Sequence, residues 1–258
     1  MEISLQGRTA IVTGASKGLG YAIADRYLQC GADVVIAARG EAPLQAAREA
    51  LAGRAGGRVQ AVACDVATAG GVRQLYDAAM QAFGRVDIVV NNAGVSAAGP
   101  FADVSDEAWQ ADLDLKLFAA VRLIRLAWPQ MRERRWGRVI NVLNVGAKAP
   151  AARSLPTSVS RAAGMALTKA LSAEGAPDNI LVNGLLVGRI ESDQWVRRAE
   201  AQGVPLQDVL RDMAKGIPLG RVGRAEEFAA AACFLASDWA SYITGTAINV
   251  DGGVSPVV

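Results

Sequence analysis

Histidine is missing altogether from the 258 residues, which excludes a Ser-His-Asp triad, a Cys-His dyad and any His-ligated zinc. Cysteine is scarce. Cys30, Cys64 and Cys233 lie in different segments without Cys-x-x-Cys spacing, a pattern expected of reduced, mostly buried thiols with no chemical role. Neither sign of charge dominates: 27 basic against 25 acidic residues leave +2, without the basic face that a phosphate backbone requires, so nucleic acid is not an expected partner. No apolar run approaches the roughly 20 residues needed to span a bilayer. The first twenty residues carry Glu2, Arg8 and Lys17 around a short AIV run, so neither a membrane nor a secretion signal is expected, and the reading is cytoplasmic.

What is present is strand and helix in alternation. Short β-branched runs recur at Thr9–Thr13, Asp33–Ala38, Val59–Ala63, Asp87–Val90, Arg138–Val142, Ile180–Leu186 and Ala247–Val250. They are apolar throughout rather than alternating, as parallel strands covered on both faces should be. Helical periods fall at about 18–30, 42–51, 71–83, 106–134, 155–173 and 225–236, the fourth expected to bend near Trp128-Pro129 because proline removes a helix hydrogen bond. Right-handed crossovers then give an α/β fold, a single-domain Rossmann-type doubly wound parallel sheet of about seven strands. No repeat, low-complexity tract or linker divides residues 1–258, and the charged stretch near 188–218 reads as a lid-like insertion after a strand.

The loop Thr13-Gly14-Ala15-Ser16-Lys17-Gly18-Leu19-Gly20 follows the first strand and opens directly into a helix. Gly14, Gly18 and Gly20 permit a tight turn, close approach of backbone to a pyrophosphate, and close helix-to-strand contact, with the helix N-terminus facing the negative charge. At the end of the second strand, where a carboxylate would hold the ribose 2′-hydroxyl, the chain has Ala37-Ala38-Arg39-Gly40. Arg39 and Lys17 can clamp a 2′-phosphate, which favours NADP(H) over NAD(H); the alternative is an Arg39 that merely faces water.

TGASKGLG, Asp65-Val66, Asn91-Asn92-Ala93-Gly94 and the tail IPLGRVGRAEEFAAAACFLASDWASYITGTAINVDGG together resemble the short-chain dehydrogenase/reductase family along nearly the whole chain. The resemblance implies cofactor contacts along the loop (Gly14, Ser16, Lys17, Gly18, Leu19, Gly20) and adenine contact at Asp65. It also implies roles in lining the cofactor or steadying the sheet for Val66, Asn91, Ala93 and Gly94. Where the family has Pro-Gly and a later Thr after strand six, this chain has Val187-Gly188 and Ser192, and Ser192 can still reach the carboxamide.

The family's catalytic Asn, Ser, Tyr and Lys are all replaced. By their flanking patterns Lys116 stands at the Asn position, Asn144 at the Ser position, Thr157 at the Tyr position and Arg161 at the Lys position. Tyr21, Tyr27, Tyr76 and Tyr242 lie far from that helix, so a shifted register recovers nothing. Arg161 can hold ribose hydroxyls but is no proton donor, Thr157 is short and leaves space, and Asn144 can donate to an oxyanion. Lys116 is the remaining ordinary proton donor, its pKa lowered if it is buried beside a guanidinium; the alternative is a lysine that reaches solvent or a neighbouring subunit. If Lys148, Arg153 and Arg189 converge with Lys116 and Arg161, the pocket is cationic and takes an anionic small molecule; otherwise they are scattered surface charge.

Three readings follow. The first is an NADP(H)-dependent oxidoreductase of a small carbonyl or hydroxyl substrate with a noncanonical active site; the second, a cofactor-binding sensor or partner without turnover; the third, a dehydratase or isomerase using Lys116. No metal is expected. The resemblance also implies a homodimer or homotetramer packed through the helices that carry positions 116 and 161, for which Phe118, Leu123, Leu126, Leu167 and Leu171 are apolar enough, although they can equally face the chain's own core.

Overall fold

The computed structural model describes residues 2–53 and 57–258, with the side chains of 193, 194, 197 and 198 left aside. Seven strands, β1 (Thr9–Thr13), β2 (Asp33–Ala38), β3 (Val59–Ala63), β4 (Ile88–Asn91), β5 (Gly137–Asn144), β6 (Ile180–Val187) and β7 (Ala247–Val250), form one sheet in the order β3-β2-β1-β4-β5-β6-β7. Every pairing is parallel. The chain runs outward from β1 to β3 and returns to pair β4 on the other side of β1, so the crossovers diverge between β1 and β4 and open a crevice at the strands' C-terminal ends.

Apolar side chains alternate between the two faces of these strands and close two cores. Val12, Val34, Ile36 and Ile140 pack with α1 (Gly18–Gln29) and α9 (Ala225–Ala236), while Ile11, Val35, Val89 and Val139 pack with α3 (Ala69–Phe83) and α5 (Ala119–Arg134). The helix α2 (Glu41–Ala52) covers β2 and β3 through Leu44, Ala47 and Leu51. Continuous apolar strands are stable here because both faces are covered.

The expected long helix over 106–134 is interrupted, but not at proline. It consists of α4 (Asp106–Leu113), a π turn over Asp114–Phe118, and α5, which runs through Pro129. The wide turn inserts one extra residue into the helix and carries Lys116 to a buried position; such insertions recur at functional sites. On α5 and α6 (Thr157–Gly175), Leu123 is buried in the chain's own core, and Leu126, Leu167 and Leu171 pack against that core; Phe118 is 39% exposed. Between β6 and α9 the chain forms α7 (Asp193–Gln202) and α8 (Leu206–Ala214), which share a small apolar cluster of Ala199, Val209, Met213 and Ile217. Among the described residues no helix is long and apolar enough to cross a membrane.

Candidate active site

Thr13 closes the end of β1 against β4. Its hydroxyl oxygen accepts from the Asn92 and Ala93 amides at 3.0 Å each and donates to the Val90 carbonyl at 3.3 Å. The Asn92 side chain then donates to the carbonyls of Thr13 at 2.8 Å and Gly14 at 3.1 Å, holding the glycine loop across the crevice. Two glycines are required sterically. A Cβ on Gly14, whose φ is +66°, would lie 2.9 Å from Ala93 Cα, and one on Gly20 would lie 2.4 Å from the Gly14 carbonyl oxygen. Gly18, at φ +60°, opens α1.

A cleft of about 580 Å³ runs from this loop along the C-terminal ends of the strands. Ser16, Lys17, Leu19, Arg39, Asp65 and Val66 line one part of it, and Ala93, Gly94, Arg161, Gly188 and Ser192 another. Asp65 turns one carboxylate oxygen to the Ala67 amide at 3.0 Å. Trp195, whose indole N–H donates to the Ile190 carbonyl at 2.8 Å, brings α7 to the cleft wall. Asn91 does not line the cleft: its amide donates to the Asn141 Oδ1 at 2.8 Å, a bond between adjacent strands, and Asn92 faces the cleft instead. Gly188 is small for a packing reason, since a Cβ there would meet Asp251 Cβ at 2.4 Å. Small residues against the strand ends, two cations at one edge and the N-terminus of α1 beside the loop fit a dinucleotide.

Of Lys116, Asn144, Thr157 and Arg161, Arg161 lines the cleft and the other three do not, although Lys116 and Thr157 are hydrogen-bonded to each other. Lys116 is ion-paired with Asp112, one helical turn earlier, and both side chains are only 1% exposed. Lys116 also donates to Thr157 Oγ1 at 3.0 Å, and the Ala97 amide donates to that same oxygen at 3.1 Å. Asp112 Oδ2 accepts the Ser160 hydroxyl at 2.6 Å. Arg161 lies over Gly94, where a Cβ would come within 2.4 Å of its Nη2, and it donates to the Val142 carbonyl at 2.7 Å. Asn144, two residues further along β5, has a buried Oδ1 with no hydrogen-bond partner.

The electrostatics follow from this crowding. Burial pushes the Lys116 ammonium below the ordinary lysine value, the Asp112 hydrogen bond and charge pull it back up, and the Arg161 guanidinium pushes it down again. Burial lowers Arg161 itself to about 10, against the pull of Asp112.

Lys116 therefore does not reach solvent. The wider cationic cluster does not form. Lys148 spends its ammonium on the Ala247 carbonyl at 2.6 Å, Arg189 donates to the Met213 carbonyl at 3.0 Å, and Arg153 sits exposed in a left-handed turn at φ +62°. Backbone carbonyls, which carry no sequence signal, take the charges that spacing suggested for a ligand. Asp112 and Ser160 are the residues that sequence reasoning missed. The available signal was the four-residue step from Asp112 to Lys116, which places a carboxylate beside any lysine that turns inward.

A family profile described as "Enoyl-(Acyl carrier protein) reductase" matches residues 14–255. The 3-oxoacyl-acyl-carrier-protein reductase of Aquifex aeolicus is 32% identical over 98% of this chain and 100% of its own length. Among solved structures, L-sorbose reductase from Gluconobacter frateurii, complexed with NADPH and L-sorbose, superposes with a TM-score of 0.96 at 35% identity, covering 100% of both chains. An NADPH-bound short-chain oxidoreductase from Pseudomonas aeruginosa PAO1, described as containing an atypical catalytic center, superposes with a TM-score of 0.91 at 37% identity, covering 99% of this chain and 100% of its own.

Proposed function

Because the chain belongs to the short-chain dehydrogenase/reductase family of oxidoreductases, we propose that it is an NADP(H)-dependent reductase of a small carbonyl compound, in which Lys116 and Thr157 deliver the proton. The observation that carries this reading is the environment of Thr157 Oγ1. A hydroxyl oxygen has two acceptor positions, and here the Lys116 ammonium and the Ala97 amide fill both. The hydroxyl's own hydrogen is therefore directed to a third group, and a hydroxyl that accepts from a buried cation gives that hydrogen up more readily.

When bound, the reduced nicotinamide supplies a hydride to the carbonyl carbon. The chain's part is the other half of the balance. As the substrate oxygen gains charge, Thr157 transfers its hydroxyl proton to that oxygen and takes a proton from Lys116 Nζ. Lys116 is left as a neutral amine beside Asp112. Burial and the Arg161 charge, which lower the lysine pKa, make that release easier. Asn144 presents an amide at the end of β5, suited to donate to the same oxygen. Arg161, anchored on Val142, is placed to hold the nicotinamide ribose across Gly94. Lys17 and Arg39 at the adenosine edge favour a 2′-phosphate, in keeping with the NADPH found in the sorbose reductase and the Pseudomonas oxidoreductase.

Titration with NADPH and NADH by tryptophan fluorescence, followed by a carbonyl panel read by loss of reduced-cofactor absorbance, tests this reading. Tight NADPH binding with turnover that disappears in Lys116→Ala, and falls in Thr157→Val but not Thr157→Ser, is expected. Undiminished turnover in Lys116→Ala overturns it, and tight binding without oxidation of NADPH on any carbonyl favours a cofactor-dependent sensor instead.

A further inference from the structure

We infer that Asp112, braced by Ser160, is the positioning residue of this site: it holds the Lys116 ammonium on Thr157 and keeps that ammonium charged until substrate arrives. The inference rests on the proton-delivery reading above.

Three observations carry it. Asp112 and Lys116 are each 1% exposed, so bulk water solvates neither charge and the pair must satisfy itself. The two carboxylate oxygens are used separately, Oδ1 for Lys116 and Oδ2 for the Ser160 hydroxyl at 2.6 Å, which fixes the rotation of the carboxylate plane. Ser160 stands one turn after Thr157 on α6, so Asp112 on α4 ties together the proton donor and the helix carrying the hydroxyl it serves. A lysine side chain has four rotatable bonds and would otherwise lose that geometry at a considerable entropic cost.

The charged groups facing Lys116 from the elements packed on it are Asp112 on α4 and Arg161 on α6. Burial and Arg161 both favour the neutral amine, and Asp112 alone opposes them. Removing the Asp112 charge must therefore lower the pH at which Lys116 loses its proton. In the reductive direction, which needs the ammonium, the alkaline limb of the rate profile moves to lower pH.

The chain has five lysines, Lys17, Lys116, Lys148, Lys169 and Lys215, few enough to follow singly by NMR of isotope-labelled lysine in the NADPH-bound protein. The Lys116 resonance is assigned by its loss in Lys116→Gln. Asp112→Asn, which keeps the shape and the Ser160 bond, is expected to lower the Lys116 midpoint by at least about one pH unit. Ser160→Ala keeps both charges and should shift the midpoint in the same direction by less; it carries the test if Asp112→Asn does not fold. A midpoint unmoved in the folded variants overturns the inference. In turnover, kcat in Asp112→Asn should fall with little change in KM, and its alkaline limb should track the NMR midpoint; a limb that stays put while the midpoint moves also overturns it. If the wild-type protein oxidises NADPH with no carbonyl, the proton-delivery reading fails while the midpoint still decides whether Asp112 governs Lys116.

Discussion

Replacing Gly20 with alanine would set a methyl carbon 2.4 Å from the Gly14 carbonyl oxygen, 2.6 Å from Asn92 Nδ2 and 2.9 Å from Ala15 Cα. Two of these neighbours are backbone and the third is pinned by its own bonds, so no side-chain rotation relieves the overlap. Relief of both contacts requires that the start of α1 withdraw from the loop and that the Asn92 amide leave the carbonyls it holds at 2.8 and 3.1 Å. Overpacking of this kind costs about 1–3 kcal/mol. Two lost hydrogen bonds add about 1 kcal/mol each. Alanine in a helix returns about 0.5–1 kcal/mol relative to glycine. The net expectation is about 2–4 kcal/mol, within the reserve of an ordinary domain, so the variant folds but melts about 5–15 °C lower. Because the same movement displaces the amides that face a pyrophosphate, NADPH affinity should fall at least about tenfold. Gly18→Ala is the comparison: its Cβ meets nothing within 4 Å, but its φ of +60° costs an L-residue about 1–2 kcal/mol of strain. Gly70→Ala, in open space in the first turn of α3, should be neutral or slightly stabilising. Thermal unfolding and fluorescence titration of the three variants check the ranking. A Gly20→Ala protein that melts and binds like wild type refutes the steric account of the loop.

Lys116→Met strands the buried Asp112 carboxylate and should cost about 3–5 kcal/mol in urea unfolding, whereas adding Asp112→Asn should recover much of that loss; additive costs would show that the ion pair is not a unit. Arg39→Asp should weaken NADPH binding at least about tenfold while sparing or improving NADH, and an unchanged ratio of dissociation constants would place the discriminating group elsewhere. Glu227 is lowered from 4.5 to about 2 by its bonds to the Arg221 side chain and the Arg224 amide. Since the folded value lies below the unfolded one, its contribution is complete above 4.5 and is lost as pH falls towards 2; Glu227→Gln should flatten the melting-temperature profile across that window.

The strands were legible almost residue by residue, because a strand buried on both faces needs an unbroken apolar run and little else in this chain supplies one. Thr9–Thr13 and Asp33–Ala38 illustrate this on one side of the switch point, whereas Val59–Ala63, at the sheet edge, is half-exposed and carries Gln60. The long helix was less legible. Pro129 carries the sequence mark of a break, yet α5 passes through it, while the true irregularity at Asp114–Phe118 contains neither proline nor glycine. That turn reflects the tertiary demand to bury Lys116, and local propensity does not register such a demand. Spacing singled out Thr157 and Arg161, and both lie against Lys116, Thr157 through its hydroxyl oxygen and Arg161 across Gly94. Asp112 stayed hidden because an aspartate four residues before a lysine is most often a solvated helix pair, and only burial turns it into part of a site.

The cross-brace from Asp112 to Lys116 and Ser160, with Thr157 at its centre, also bears on how far the cluster can be altered one residue at a time. An uncharged side chain at 116 alone would strand a buried carboxylate, and a bulkier one at 157 alone would evict the ammonium from the oxygen it now holds. Each single exchange thus destabilises the protein, because Asp112, Lys116, Thr157 and Ser160 are bonded as one set. A lysine and threonine placed in this geometry without Asp112 would lack the counter-charge, and the buried lysine would lose its proton more readily.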